Sequence, residues 1–168
     1  MAVTVKSKVD RQLASLVRTS DFVDVDTGRY TNNGALYTID LLCCTSTMVY
    51  ARFSDGKGEG FLTHYQPYHF VEHVAKIKEL TNMIRTKPNL KYIVGVLFAS
   101  KDSKEENPVY ESLVNLMRSA MEITCSLICR SFVSPEVLYY ERPLNHIIFS
   151  PNVAIWATTQ HGIHSFKP

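Results

Sequence analysis

No run in the 168-residue sequence approaches the ~18 apolar residues of a membrane-spanning helix, so no membrane insertion is expected. Charge of one sign is also missing. Eighteen basic residues against sixteen acidic ones leave a formal charge of +2, too small an excess to argue for nucleic acid as a partner. The four cysteines, Cys43, Cys44, Cys125 and Cys129, form no Cys-x-x-Cys, which removes the usual zinc and redox motifs. Reduced thiols in a reducing compartment are the simplest reading. Gly56, Gly58 and Gly60 are not followed by Lys-Ser/Thr, so no phosphate-cradling loop is present. Met1 to Arg18 carries Lys6, Lys8, Asp10 and Arg11 and lacks the apolar stretch of a signal peptide. No repeat or low-complexity segment appears. What is there is a composition of 45% hydrophobic and 20% charged residues, which is enough apolar material for a folded core. The length fits one domain spanning 1–168.

Hydrophobic period separates the elements. Val9, Leu13, Leu16 and Val17 recur at helical spacing and predict a helix over 6–18. Tyr37–Cys44, Thr47–Phe53 and Gly60–Tyr65 are short runs rich in Tyr, Ile, Thr, Val and Phe, bounded by Asn-Gly and Asp-Gly turn chemistry. The last two read as a hairpin. Phe70, Val74, Ile77, Leu80 and Ile84 make one face of a helix over 68–86. Lys91–Ala99 is a continuous apolar run, as in a strand covered on both faces. Ser100–Asn107 reads as a charged loop, and Pro108 opens a helix extending to about Met121. Thr124–Phe132, Glu136–Glu141, His146–Phe149 and Asn152–Thr159 read as strands. The expected fold class is α+β, with mixed sheets and two or three flanking helices.

The chemistry concentrates in residues 38–65. A cysteine pair ends one expected strand, and His64 lies on a neighbouring strand across the hairpin. An unperturbed thiol, pKa ~8.5, is only slightly ionised at neutral pH, so a nucleophilic cysteine needs a base within reach. Imidazole can take the proton and later return it to a leaving amine. Thr38 and Cys44 are an even number of residues apart, which puts them on one face of a regular strand and turns Cys43 the other way. The competing reading is two buried cysteines and an ordinary edge histidine.

Thr38-Ile39-x-Leu41-x-x-Cys44, a hydrophobic strand, a Gly-containing turn, then Gly60-Phe61-Leu62-x-His64 with Pro67 shortly after, resembles the CheD-type glutamine deamidases. It is similar, too, to the catalytic domains of cytotoxic necrotizing factor and Burkholderia lethal factor. The likeness extends loosely over 34–160 and implies a sheet-rich α/β sandwich. It also implies a cysteine-dependent amidohydrolase that converts a glutamine of a target protein to glutamate. Cys44 would be the nucleophile, His64 the base and Thr38 the group orienting His64. No cofactor and no metal are implied, and the partner would be a protein substrate. The setting would be a cytoplasm, bacterial or, for an injected effector, that of a host. Where the family has small residues before the cysteine, this chain has Leu42-Cys43, which bears on the oxyanion-binding backbone. A catalytically silent interaction domain of the same fold is the alternative, and Cys43 is a residual candidate nucleophile.

A second motif points elsewhere. His69-Phe70-Val71-Glu72-His73 spells H-x-x-E-H, which on a helix would pair two zinc-binding histidines with a glutamate base. Glu122 or Glu136 would be a third ligand. His161 and His164 have no carboxylate spacing around them, and ordinary helix histidines are the competing reading of His69 and His73.

Overall fold

The computed structural model describes residues 11, 14–15, 17–85, 89–130, 132, 134–152, 154–159 and 162–166. Most of the expected helix over 6–18 lies outside the described residues, as does His161. Among the described residues ten strands, β1 to β10, form two five-stranded mixed sheets. The first sheet joins β1 (Asp21–Phe22), β3 (Leu36–Leu41), β8 (Leu144–Ser150), β9 (Ala154–Thr159) and β10 (Gly162–Phe166) in that order. The second joins β2 (Thr27–Thr31), β5 (Gly58–His64), β4 (Ser46–Phe53), β6 (Leu90–Ser100) and β7 (Glu136–Tyr140). Residues 11, 14–15 and 17–19 are helical. Beyond them, the helices among the described residues are α1 (Phe70–Arg85), α2 (Lys101–Glu106) and α3 (Pro108–Ser126), with a 3₁₀ turn, Pro67–His69, leading into α1. The fold is therefore the expected α+β sandwich.

The second sheet is covered on both faces, which is why β4 and β5 are almost wholly buried. One face packs Val49, Phe61 and Leu97 against Ile77, Leu80, Val114 and Met121 of α1 and α3. The other packs Met48, Leu62 and Phe98 against Leu36, Ile147 and Phe149 of the first sheet. Each large side chain so buried contributes about 1.5–3 kcal/mol. The two sheets come close at Gly60, where a Cβ would lie 2.4 Å from the Phe149 ring, so only glycine fits.

The β4–β5 hairpin forms as expected, with Gly56 in the left-handed region of its turn. Three expectations are corrected. Thr124–Phe132 is not a strand, because α3 runs to Ser126. Its β-branched residues suit a strand locally, yet Met121, Thr124 and Cys125 continue the buried stripe begun by Tyr110, Val114 and Met117. The charged segment after β6 is not a loop but α2, whose first turn is capped by Ser100 Oγ accepting from Ser103 N–H at 3.1 Å. The strand ending in the cysteines stops at Leu41, because Asp40 has φ 56 and breaks the alternation.

Candidate active site at the end of the sandwich

β5 delivers His64 to the gap between the sheets. The β4–β5 register pairs Met48 with Leu62, and the bridge between Thr45 and Tyr65 extends it in step. Alternation then places Cys44, Ser46 and His64 on the face that meets the first sheet, while Gln66, past the end of β5, lines a small pocket with Thr45, Phe70 and His73. Cys44 accordingly packs against the inter-sheet cluster, diagonally across the strand pair from His64.

From the opposite sheet, Thr38 meets the histidine. Its Oγ1 lies 2.7 Å from His64 Nδ1 and 2.7 Å from the carbonyl oxygen of Val23. A hydroxyl has one proton. The Val23 carbonyl can only accept, so the proton goes there and Thr38 must accept from Nδ1–H. That assignment fixes the tautomer: Nε2 of the neutral ring carries the lone pair. Among the described residues Nε2 has no hydrogen-bond partner, and it retains access to solvent. Burial pushes the His64 pKa down, with Asp26 and Asp24 pulling it partly back, so the ring is neutral at neutral pH.

Cys43 and Cys44 occupy the turn between β3 and β4, not the strand. The even-spacing argument for Thr38 and Cys44 therefore does not apply across Asp40; the β4–β5 ladder, not β3, sets the face that Cys44 presents. Cys43 is exposed and Cys44 half-buried. Two tyrosines hold the turn by its carbonyls. Tyr140 Oη donates to the Cys44 oxygen at 2.6 Å, and Tyr110 Oη donates to the Cys43 oxygen at 3.4 Å while accepting from Ser100 N–H. Among the described residues no backbone acceptor takes the N–H of Leu42, Cys43 or Cys44. Burial first, then neighbouring Cys43 and Asp26, push the Cys44 thiol up to about 12. The resting pair is thus a neutral thiol and a neutral imidazole.

Residues 23–26 close the site, and sequence reasoning missed them. Val23 N–H donates to the Tyr37 carbonyl at 2.8 Å, which sets the Val23 oxygen over Thr38. Asp26, with φ 60, donates its N–H to the His64 carbonyl at 2.6 Å. The Asp-Thr-Gly at 26–28 is the one sequence signal, since aspartate tolerates the left-handed turn conformation.

The H-x-x-E-H residues meet three different surroundings. His69 lies in the 3₁₀ turn with Nδ1 2.8 Å from Asp26 Oδ1, and Glu72 is exposed. His73 is buried, its Nε2 2.8 Å from Thr63 Oγ1 and its Nδ1 3.3 Å from Thr45 Oγ1, with its ring stacked on Tyr65. Both nitrogens are engaged, which suits a structural histidine better than a ligand. Among the described residues no three His, Cys, Asp or Glu side chains gather as a metal site. No helix among them is long and apolar enough to cross a membrane.

Compared with known proteins, the chain matches no family model and no curated sequence.

Proposed function

We propose that this chain is a cysteine-dependent amidohydrolase that deamidates a glutamine side chain of a target protein. The observation that carries the reading is the Val23–Thr38–His64 chain of hydrogen bonds, which leaves an unprotonated Nε2 on the face shared with Cys44. Because the thiol is neutral at rest, proton transfer accompanies attack and does not precede it. His64 Nε2 takes the Cys44 proton as the sulfur bonds to the carboxamide carbon. The oxygen, now negative, finds the unengaged N–H groups of the Leu42–Cys44 turn. The imidazolium returns its proton to the amide nitrogen, and ammonia leaves. Water, deprotonated by His64, then cleaves the thioester to give glutamate and the free thiol. No metal or organic cofactor enters any step.

A docked protein loop suits the site because the turn carrying the nucleophile stands at the rim, with Leu42 55% exposed beside it. The silent interaction domain has one observation in its favour, the thiol pushed up to about 12. The two readings separate in one experiment. Candidate proteins are incubated with the chain, and ammonia release and the small mass gain of glutamine becoming glutamate are followed. An active enzyme gives both, and loses both on Cys44→Ser; a silent domain gives neither.

A further inference from the structure

Asp26 touches three residues of the site at once from an uncommon backbone conformation. Its N–H holds the His64 carbonyl. Its Oδ1 accepts from Gln66 N–H at 3.1 Å and lies 2.8 Å from His69 Nδ1, and its Oδ2 accepts from Gln66 Nε2 at 2.9 Å. Gln66 stands across the extended ladder from Cys44, so Asp26 grips the strand on both sides of Tyr65, behind the base and opposite the nucleophile. Aspartate tolerates φ near 60 better than most residues, but the conformation still needs support from its surroundings. These four contacts supply it. Burial alone would raise the Asp26 pKa, but the hydrogen bonds from His69 and Gln66 outweigh it, and the carboxylate is ionised.

We propose that Asp26 is a positioning residue of the Cys44–His64–Thr38 site: it fixes the strand that bears His64 and sets a negative charge beside the imidazole that must become positive. The proposal rests on the amidohydrolase reading. As His64 accepts the thiol proton, a cation forms in a half-dry gap between sheets. Asp24 and Asp26 are the negative groups whose charge reaches it, the Asp26 carboxylate being held by Gln66 and His69, and neutral His73 is a further titratable neighbour. Of these, only Asp26 is also bonded to the His64 backbone. The same charge opposes a standing thiolate on Cys44. Asp26 thereby favours the protonated form of both groups: it keeps the thiol intact at rest and stabilises the imidazolium that forms during attack.

Two variants separate charge from scaffold. Asp26→Asn keeps the shape and an acceptor for Gln66 but loses the charge; Asp26→Gly keeps the left-handed backbone and its N–H but loses every side-chain contact. Two readouts are taken on the full chain, with thermal melting alongside. One is the ring titration of His64 by nitrogen-15 NMR. The other is the alkylation rate of Cys44 by iodoacetamide against pH, in a Cys43→Ser background that removes the competing exposed thiol. Asp26→Asn is expected to lower the His64 midpoint and, by removing the charge that opposes the thiolate, to shift the Cys44 alkylation profile toward lower pH with melting little changed. Asp26→Gly lowers the midpoint as well and, with the strand contacts also lost, slows alkylation relative to Asp26→Asn. An unchanged midpoint in both variants, or a rate loss that only tracks loss of folded protein, overturns the proposal. If the native chain deamidates no glutamine while the midpoint still moves with Asp26, the enzyme reading fails and the positioning role stands.

Discussion

Two histidines flank the same strand pair and have opposite surroundings. His73 reaches the helix-facing side of β4 and β5, where threonines engage both of its nitrogens and Tyr65 covers its ring. His64 lies on the sheet-facing side with one nitrogen held and the other open. Burial pushes His73 down to about 3 and lowers His64 as well. Depressed pKa alone therefore does not mark a base. The difference is satisfaction: a closed hydrogen-bond set stabilises a fold, whereas a half-closed set with a fixed tautomer leaves a lone pair for chemistry.

The sharpest way to break the contrast is to exchange the losses. His64→Gln, whose amide N–H can still donate to Thr38, is expected to lower turnover by about a hundredfold or more with a much smaller loss of stability, since it removes the proposed base. His73→Ala should do the reverse. It leaves the Thr45 hydroxyl unpaired beside a cavity, while Thr63 keeps its bonds to Thr47, and costs about 3 kcal/mol in denaturant unfolding, with turnover per folded molecule kept. If His73→Ala abolishes turnover at full stability, the two roles have been assigned the wrong way round.

Next in size is Thr38→Val. It strands Nδ1–H of His64 and the Val23 carbonyl together, so the stability cost is about 1–3 kcal/mol. Turnover should fall roughly ten- to a hundredfold, about 1.4–2.7 kcal/mol in the barrier, because the tautomer is no longer fixed. Thr38→Ser should restore most of it. Normal turnover in Thr38→Val would show that the hydroxyl orients nothing.

Acid sharpens the comparison further. A histidine held below its ordinary 6.5 takes up protons more readily in the unfolded chain. Stability therefore falls as pH drops from about 6.5 toward 3, because the unfolded chain takes up the proton that buried His73 refuses. Urea unfolding at a series of pH values measures the slope, and His73→Gln should flatten it. A native slope that His73→Gln leaves unaltered would mean His73 is not buried neutral. The smallest effect is expected from Cys43→Ser, whose exposed side chain makes no contact the mechanism uses; turnover and melting should both stay near native.

Much of this architecture is written in local pattern. The β4–β5 hairpin, β6 and α1 follow from period and turn residues, because each buries a face that its own sequence defines. The end of β3 does not, since Asp40 and not a glycine or proline breaks it. Nor does the last part of α3, where Thr124 and Cys125 obey the packing against the sheet and not their own β preference. Of the candidate site, Thr38, Cys44 and His64 were legible from motif and resemblance. The groups that orient them were not. Val23 acts through a backbone carbonyl, which has no side-chain signature, and the Asp26 carboxylate meets Gln66 and His69, 40 residues or more away along the chain, so only the local Asp-Thr-Gly at 26–28 hints at it.

The central claim is that His64 presents an unprotonated Nε2 to the face bearing Cys44, and nitrogen-15 NMR of the histidine rings in the resting protein tests it most directly. Near neutral pH the account predicts a single His64 form with the proton on Nδ1 and a pyridine-type Nε2, reverting to the mixed tautomers of a free imidazole in Thr38→Val. A His64 ring protonated on Nε2 at neutral pH would contradict it, for no lone pair would then be left to accept the Cys44 proton.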